Sequence, residues 1–440
     1  MLKAAQLEFR LSGTPQTERE RLESRFKGLL HEDLSLGSLV SYKGNKRLPL
    51  FRLYRYKEAY SLEFVERFLD YFAAGPKDLV LDPFAGMGTT LFAAMCRGIP
   101  SVGIDRLPIA TFVAQTLPSF LEYPPGILSR LFETVMKEVD GSPLAEIALD
   151  VPLISKAFDN ETLTRLRKWK SAVDRVTHPL RDGLLLLFLS ILEETSCASN
   201  DGQFLRLKPD KAPAWPDKAL SEKVLEAESD MLSARMRWTD LEAFAQAKPL
   251  VYTGDARAFN GIALSREPTI LITSPPYANR YDYTRSYALE LCFHFVKTAN
   301  ELRDLRRGIL RSHIESQTTD DDMPPHPAVV EVLDCLSQKP LNNPRIPIML
   351  NAYFVDMARV IEQWSWVLAR GSHVAMVVDN VRFEGEMVPV DLILSEIAER
   401  YGFSVERVVV ARYKGNSSQQ MGKYGRIPVR ESVLLWRKER

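Results

Sequence analysis

The stretch Leu79-Val80-Leu81-Asp82-Pro83-Phe84-Ala85-Gly86-Met87-Gly88-Thr89-Thr90 constrains the fold more than any other part of the chain. An apolar run ends in an acid, a turn with two glycines follows, and Leu91-Phe92-Ala93-Ala94-Met95 then has a helical pattern. Glycine lets backbone pass close to a bound group where a Cβ would block it. A helix N-terminus presents free N–H groups. The turn reads G-x-G-T-T and lacks the third glycine of the dinucleotide fingerprint. Farther on, Ser101-Val102-Gly103-Ile104-Asp105 reads as a second strand ending in an acid, placed to bind ribose hydroxyls. Strand, turn, helix, strand and acid together predict an α/β sheet holding a nucleoside-containing cofactor.

A second motif lies well downstream. The apolar run Ile270-Leu271-Ile272 leads into Thr273-Ser274-Pro275-Pro276-Tyr277. Two prolines fix two φ angles and remove two donors, leaving carbonyl oxygens free to accept. The serine hydroxyl adds an acceptor and the tyrosine a flat face. That combination suits a planar group with an exocyclic amine, such as a nucleobase. A rigid turn after a strand is the plain alternative, and the upstream motif weighs against it.

Residues 1–50 read as a charged lead-in followed by a basic loop. Residues 115–248 read mainly as helices (127–139, 160–176, 184–194 and 221–235), with a polar loop over 200–216. Strands resume at 250–253 and 270–273. A helix is expected over 287–298, broken helices and loop over 299–348, and a helix over 351–368. A strand over 373–378, a helix over 390–401 and a closing strand pair, 403–411 and 432–436, complete the pattern. Seven strands alternating with helices predict a doubly wound sheet. Its ligand belongs at the strand carboxyl ends, where Asp82, Asp105, Asp255 and Ser274 all fall.

On these two motifs the chain resembles the S-adenosylmethionine-dependent DNA amino-methyltransferases, in which a D-P-F-x-G-x-G-T-T turn holds the cofactor and an S/D/N-P-P-Y/F turn holds the target base. The resemblance runs from about residue 51 to 436. It implies a Rossmann-like class I methyltransferase fold with a seven-stranded, mostly parallel sheet. The catalytic domain would comprise 51–114 and 249–440, with 115–248 a helical insertion; this block and the loop 299–348 are both candidate target-recognition regions, the helical block favoured. Asp82, Phe84, Gly86, Gly88 and Thr89 would line the cofactor pocket, and Asp105 would hold the ribose. Asp255, after Val251-Tyr252-Thr253-Gly254, would approach the adenine. The segment 51–61, with Lys57, would cap the methionine end, although Ser61 stands where many relatives have proline. Ser274, Pro275, Pro276 and Tyr277 would form the catalytic turn, Tyr277 stacking on a flipped base. Serine at its first position points to N4 of cytosine rather than N6 of adenine. Relatives with Ser-Pro-Pro-Tyr often place it before the cofactor turn; here it follows.

Zero net charge argues against a wholly basic nucleic-acid binder. Two acid-free stretches nevertheless suit phosphate contact: 42–57, with Lys46, Arg47 and Arg52, and 412–430, with Arg412, Lys414, Lys423 and Arg426. Tyr281-Asp282-Tyr283 reads equally as pocket lining or core, and Asn416-Ser417-Ser418-Gln419-Gln420 equally as base reader or surface loop. The four cysteines are scattered and none follows proline, which excludes the carbon-5 cytosine chemistry of a Pro-Cys nucleophile and points to a reducing compartment. The six histidines lack ligand spacing, so no metal is expected. No secretory leader or spanning segment is evident, so the expected place is the cytoplasm. Expected partners are double-stranded DNA and a cognate restriction endonuclease or defence partner. An RNA methyltransferase on the same fold, and a nucleic-acid-binding subunit with an inactive pocket, are the rival readings.

Overall fold

The computed structural model describes residues 16–201, 204–259, 262–316, 324–415 and 422–440. Its main sheet contains strands β1 (Leu30–Glu32), β2 (Val80–Asp82), β3 (Ser101–Asp105), β4 (Leu250–Thr253), β5 (Ile270–Thr273), β6 (His373–Asp379), β7 (Phe403–Lys414) and β8 (Val429–Lys438). They lie in the order β1-β7-β8-β6-β5-β2-β3-β4. Pairing is parallel from β4 through β6. Strand β8 runs antiparallel to both β6 and β7. The strand order reverses between β2 and β5, which opens the crevice where doubly wound sheets bind ligands.

Side chains alternate across this sheet with the period of two that a strand imposes. Ile270, Ile272, Ala375, Val377, Val433 and Leu435 face one core, which is shared with Phe92 of the helix Thr89–Met95 and with Trp169 and Leu184 of the helical region. Leu271, Val374, Met376, Val378, Leu434 and Trp436 face the other, shared with Tyr353 and Trp364 of helix Ile346–Val367. Two buried faces explain why the central strands are continuous apolar runs.

Three expectations change. The sheet has eight strands: Leu30–Glu32 adds a parallel edge to β7, with His31 opposite Val409. The polar stretch expected as loop begins in a hairpin of strands Ala198–Asp201 and Phe204–Leu207. In place of one helix over 287–298, short turns run from Tyr283 to Phe295, ending in a π-helical turn Leu291–Phe295. The residues 416–420 lie outside the described residues. Among the described residues, no helix is long and apolar enough to cross a membrane.

Candidate active site

Strand β2 ends at Asp82, where Pro83 has no N–H with which to continue the ladder. The Asp82 carboxylate turns inward. Its Oδ1 accepts from Thr273 Oγ1 at 2.6 Å and from the Phe84 N–H at 3.1 Å. Its Oδ2 accepts from the Tyr60 hydroxyl at 3.0 Å. With 1% exposure, Asp82 lies beneath the turn rather than in the pocket wall, tying the end of β2 to the end of β5. Burial pushes its carboxyl up, and these donors work against that.

The turn above it needs its glycines for two different reasons. Gly86 has φ +52° and donates its N–H to Asp105 Oδ2 at 2.9 Å, while Leu107 N–H donates to Oδ1 at 2.8 Å. Burial pushes the Asp105 carboxyl up to about 6. Gly88 has φ +84°, and a Cβ there would stand 2.8 Å from Ala114 Cβ. Gly88 therefore lets the helix Thr89–Met95 pack on the helix Pro108–Thr116 and does not line the pocket.

A pocket opens at these strand ends, lined by Phe84, Gly86, Thr89, Asp105 and Asp255 among others. The Thr89 Oγ1 atom is buried without a hydrogen-bond partner. Asp255 is already engaged: Arg257 donates from Nε to Oδ1 at 2.9 Å and from Nη2 to Oδ2 at 2.7 Å. Burial raises the Asp255 carboxyl, but Arg257 outweighs it and leaves the group below the ordinary range.

Ser274 follows β5 and borders this pocket together with Pro276. Ser274 also borders a second pocket, lined with it by Pro275, Tyr277, Asp379, Lys414 and Glu431 among others. Glu58, Ala59, Tyr60, Ser274 and Tyr283 border both pockets. The Tyr277 hydroxyl donates to Glu431 Oε1 at 3.0 Å and lies against the Ser274 side chain. Lys414 Nζ stands 5.4 Å from the Tyr277 ring centroid. An ammonium thus already occupies one face of the ring expected to stack on a base.

Other expected site residues distribute unevenly. Lys57 donates to the Asn200 carbonyl and borders the second pocket, not the first. Arg52 is bound to Asp230 (Nε to Oδ1 2.9 Å) and Glu226, so it anchors the basic segment to helix Pro216–Arg237. Arg412 and Lys414 both pair with Glu431, and Lys423 pairs with Glu384 at 3.2 Å. Lys46, Arg47 and Arg426 are exposed, Lys46 over the Tyr42 ring. Tyr281 and Tyr283 line the second pocket, while Asp282 pairs with Arg306 at 2.9 Å.

Two features escaped the sequence reading. Glu58 takes hydrogen bonds from the Tyr281 and Tyr287 hydroxyls at the junction of the pockets. Burial pushes its carboxyl up. Asp379, Glu431 and Arg412 form a row across β6, β8 and β7, each opposite the next. Asp379 ends its strand as Asp82 and Asp105 end theirs, and that position was its available signal.

Comparison with known proteins completes the description. A DNA methylase family model matches residues 31–110. The type II methyltransferase M.AvaI of Nostoc sp. is 34% identical over 448 residues, covering 95% of this chain and 92% of its own. M.BsoBI of Geobacillus stearothermophilus is 30% identical over 474 residues, covering 96% and 92%. M.MvaI of Kocuria varians is 21% identical over 346 residues, covering 73% and 74%.

Proposed function

The chain belongs to the type II DNA methyltransferases of the N6/N4 amino-methylating family, and we propose that it methylates N4 of a cytosine flipped out of duplex DNA. S-adenosylmethionine is its cofactor, and when bound it supplies an electrophilic methyl group on a sulfonium. The first pocket fits that molecule: a half-buried carboxylate for a diol, a glycine turn whose Cβ would press on Tyr56, and an unpartnered hydroxyl at Thr89. In this reading Asp105 takes the ribose hydroxyls, Phe84 and Asp255 border the adenine, and Gly86 admits the chain of the cofactor.

The observation that carries the reading is the position of Ser274 on the wall shared by both pockets. The amine of a nucleobase is a poor nucleophile because its lone pair is conjugated into the ring. The Ser274 hydroxyl and the carbonyl of the Ser274–Pro275 step accept hydrogen bonds from its two N–H groups, drawing the nitrogen toward a tetrahedral shape. Acceptors preorganised where positive charge develops act electrostatically in a dry site. Holding the nitrogen at the shared wall supplies the proximity contribution. A base within a duplex cannot reach such a recess, so flipping is required. Serine, rather than aspartate or asparagine, at this position favours cytosine.

Target recognition is assigned to the helical region 115–248. Exposed Lys46, Arg47 and Arg426 contact phosphates. A cognate restriction endonuclease in the cytoplasm completes the system. The test is transfer of labelled methyl from S-adenosylmethionine to duplex DNA, with RNA in parallel, followed by nucleoside digestion. N4-methylcytosine is expected. N6-methyladenine would overturn the base assignment, and transfer to RNA alone would overturn the substrate.

A further inference from the structure

The second pocket ends in a charged row that the methyl-transfer reading leaves unused. Strand register sets Asp379 beside Glu431 and Glu431 beside Arg412. Glu431, at 1% exposure, is fully committed: it accepts from Tyr277, Arg412 and Lys414. Asp379 is not. Its Oδ2 takes one hydrogen bond, from Lys414 Nζ at 3.2 Å, and its Oδ1 has no partner although the atom is buried. An unpaired buried carboxyl oxygen costs the fold stability. This one sits in a residue that lines the pocket, on a side chain 14% exposed. Rotation about χ2, a soft torsion for aspartate, re-aims the carboxyl without moving the strand.

We propose that Asp379 recognises the flipped base by donating a hydrogen bond from its carboxyl to the ring nitrogen beside the target amine. That nitrogen is N3 in cytosine and N1 in adenine. The inference rests on the methyltransferase reading above and adds the residue that sets how the base lies in its pocket. Asp379 positions the ring; Ser274 and the Pro275 step act on the amine. A donor is needed because ring N3 is an acceptor, and an ionised carboxylate there would repel it. Burial, with Glu431 adding to it and Lys414 and Arg412 opposing, pushes the Asp379 carboxyl up to about 7. The other titratable side chains lining the pocket are Lys57, Glu58, Tyr281, Tyr283 and Tyr277, whose hydroxyl is held by Glu431. The carboxyl therefore carries its proton in a large fraction of molecules at neutral pH.

The experiment uses the full chain and a duplex bearing the sequence found methylated in DNA of a host expressing it. Asp379→Ala is expected to lower kcat/KM by roughly ten- to a hundredfold, the range of one hydrogen bond lost from a buried polar partner. S-adenosylhomocysteine binding, measured by calorimetry, is expected to stay unchanged. Placing 3-deazacytosine at the target should cost wild type a similar factor and the Ala variant less than about threefold more, since the lost contact is shared. Asp379→Asn, whose amide donates at any pH, should retain most activity. Wild-type kcat/KM should fall as pH rises through about 7, and the Asn profile should be flat there. Full multiplication of the deaza and Ala penalties, or equal losses in Asn and Ala, would overturn the assignment. Nucleoside analysis separates the two readings: if the product is N6-methyladenine, the cytosine assignment fails and 1-deazaadenine takes the same place in the cycle. If the wild type modifies neither base, both fail.

Discussion

At the scale of single residues, the acids at the strand ends divide their labour. Asp105 faces the cofactor pocket from a half-buried position, and desolvation holds its carboxyl above its ordinary value, at about 6. The ionised form is thus disfavoured by the fold, so stability falls as pH rises from about 4 to about 6, by at most about 3 kcal/mol. Asp105→Asn removes that cost. Its amide then turns a donor on the N–H of Gly86 or Leu107, which offsets that gain, so its Tm at pH 8 is expected to stay close to wild type while S-adenosylmethionine affinity drops roughly tenfold or more; calorimetric titration reads the second effect and a thermal melt the first. Wild-type affinity should itself weaken below about pH 6, where the acceptor carboxylate gains a proton. Asp82 behaves differently. Asp82→Ala removes the acceptor of the Thr273 hydroxyl and the Phe84 N–H and one of the partners of the Tyr60 hydroxyl. It should cost about 2–4 kcal/mol, read as a lower urea midpoint at unchanged m-value. A variant that loses cofactor affinity with no loss of stability would contradict the bracing role.

At the scale of elements, the glycine turn works through helix packing as much as through its ligand. Gly88→Ala combines a left-handed backbone with a Cβ placed 2.8 Å from Ala114 Cβ. It is expected to lower both Tm and cofactor affinity although residue 88 does not touch the pocket. Adding Ala114→Gly relieves the clash but not the backbone strain, so partial recovery of both is expected; no recovery would exclude the packing explanation. The motif itself was plain in sequence because a strand, a turn and a helix are local objects. The edge strand Leu30–Glu32 was not, since three residues carry no periodicity and its partner β7 begins at Phe403. The Ala198–Leu207 hairpin hid in a stretch whose residues, Ser-Asn-Asp-Gly-Gln at its middle, lack the apolar alternation of a half-buried strand.

At the scale of the whole molecule, charge pairing decides which basic residues remain for DNA. Arg52 is bound by Asp230, which has 0% exposure and also accepts from the Leu50 N–H. Arg52→Gln should therefore lower stability. Replacing exposed Lys46 and Arg47 with Gln should instead flatten the slope of log K against log salt by about 1–2. Long-range pairing also clamps the N-terminal helix Glu18–Phe26 to the helix Val390–Arg400. Hydrogen bonds from Arg21, with His326 and Arg25 beside it, pull the Glu396 carboxyl down to about 2. Its contribution is complete above the ordinary carboxylate value and is lost as pH falls toward 2. Arg21 and Arg25 are 36% and 43% exposed, so the contribution is about 1–2 kcal/mol after screening. Glu396→Gln should lower Tm at pH 7 and have little effect near pH 2. The linear order of residues determined the strands, the acid at each strand end, the glycine turn and the proline turn, because each follows from local backbone preference and apolar period. Only the tertiary structure decided which acid faces a ligand and which lies beneath it, which cations are free, and that Asp379 meets Glu431 and Arg412. Those outcomes depend on pairings between residues far apart in sequence, where burial and register set the energy and no local pattern records it.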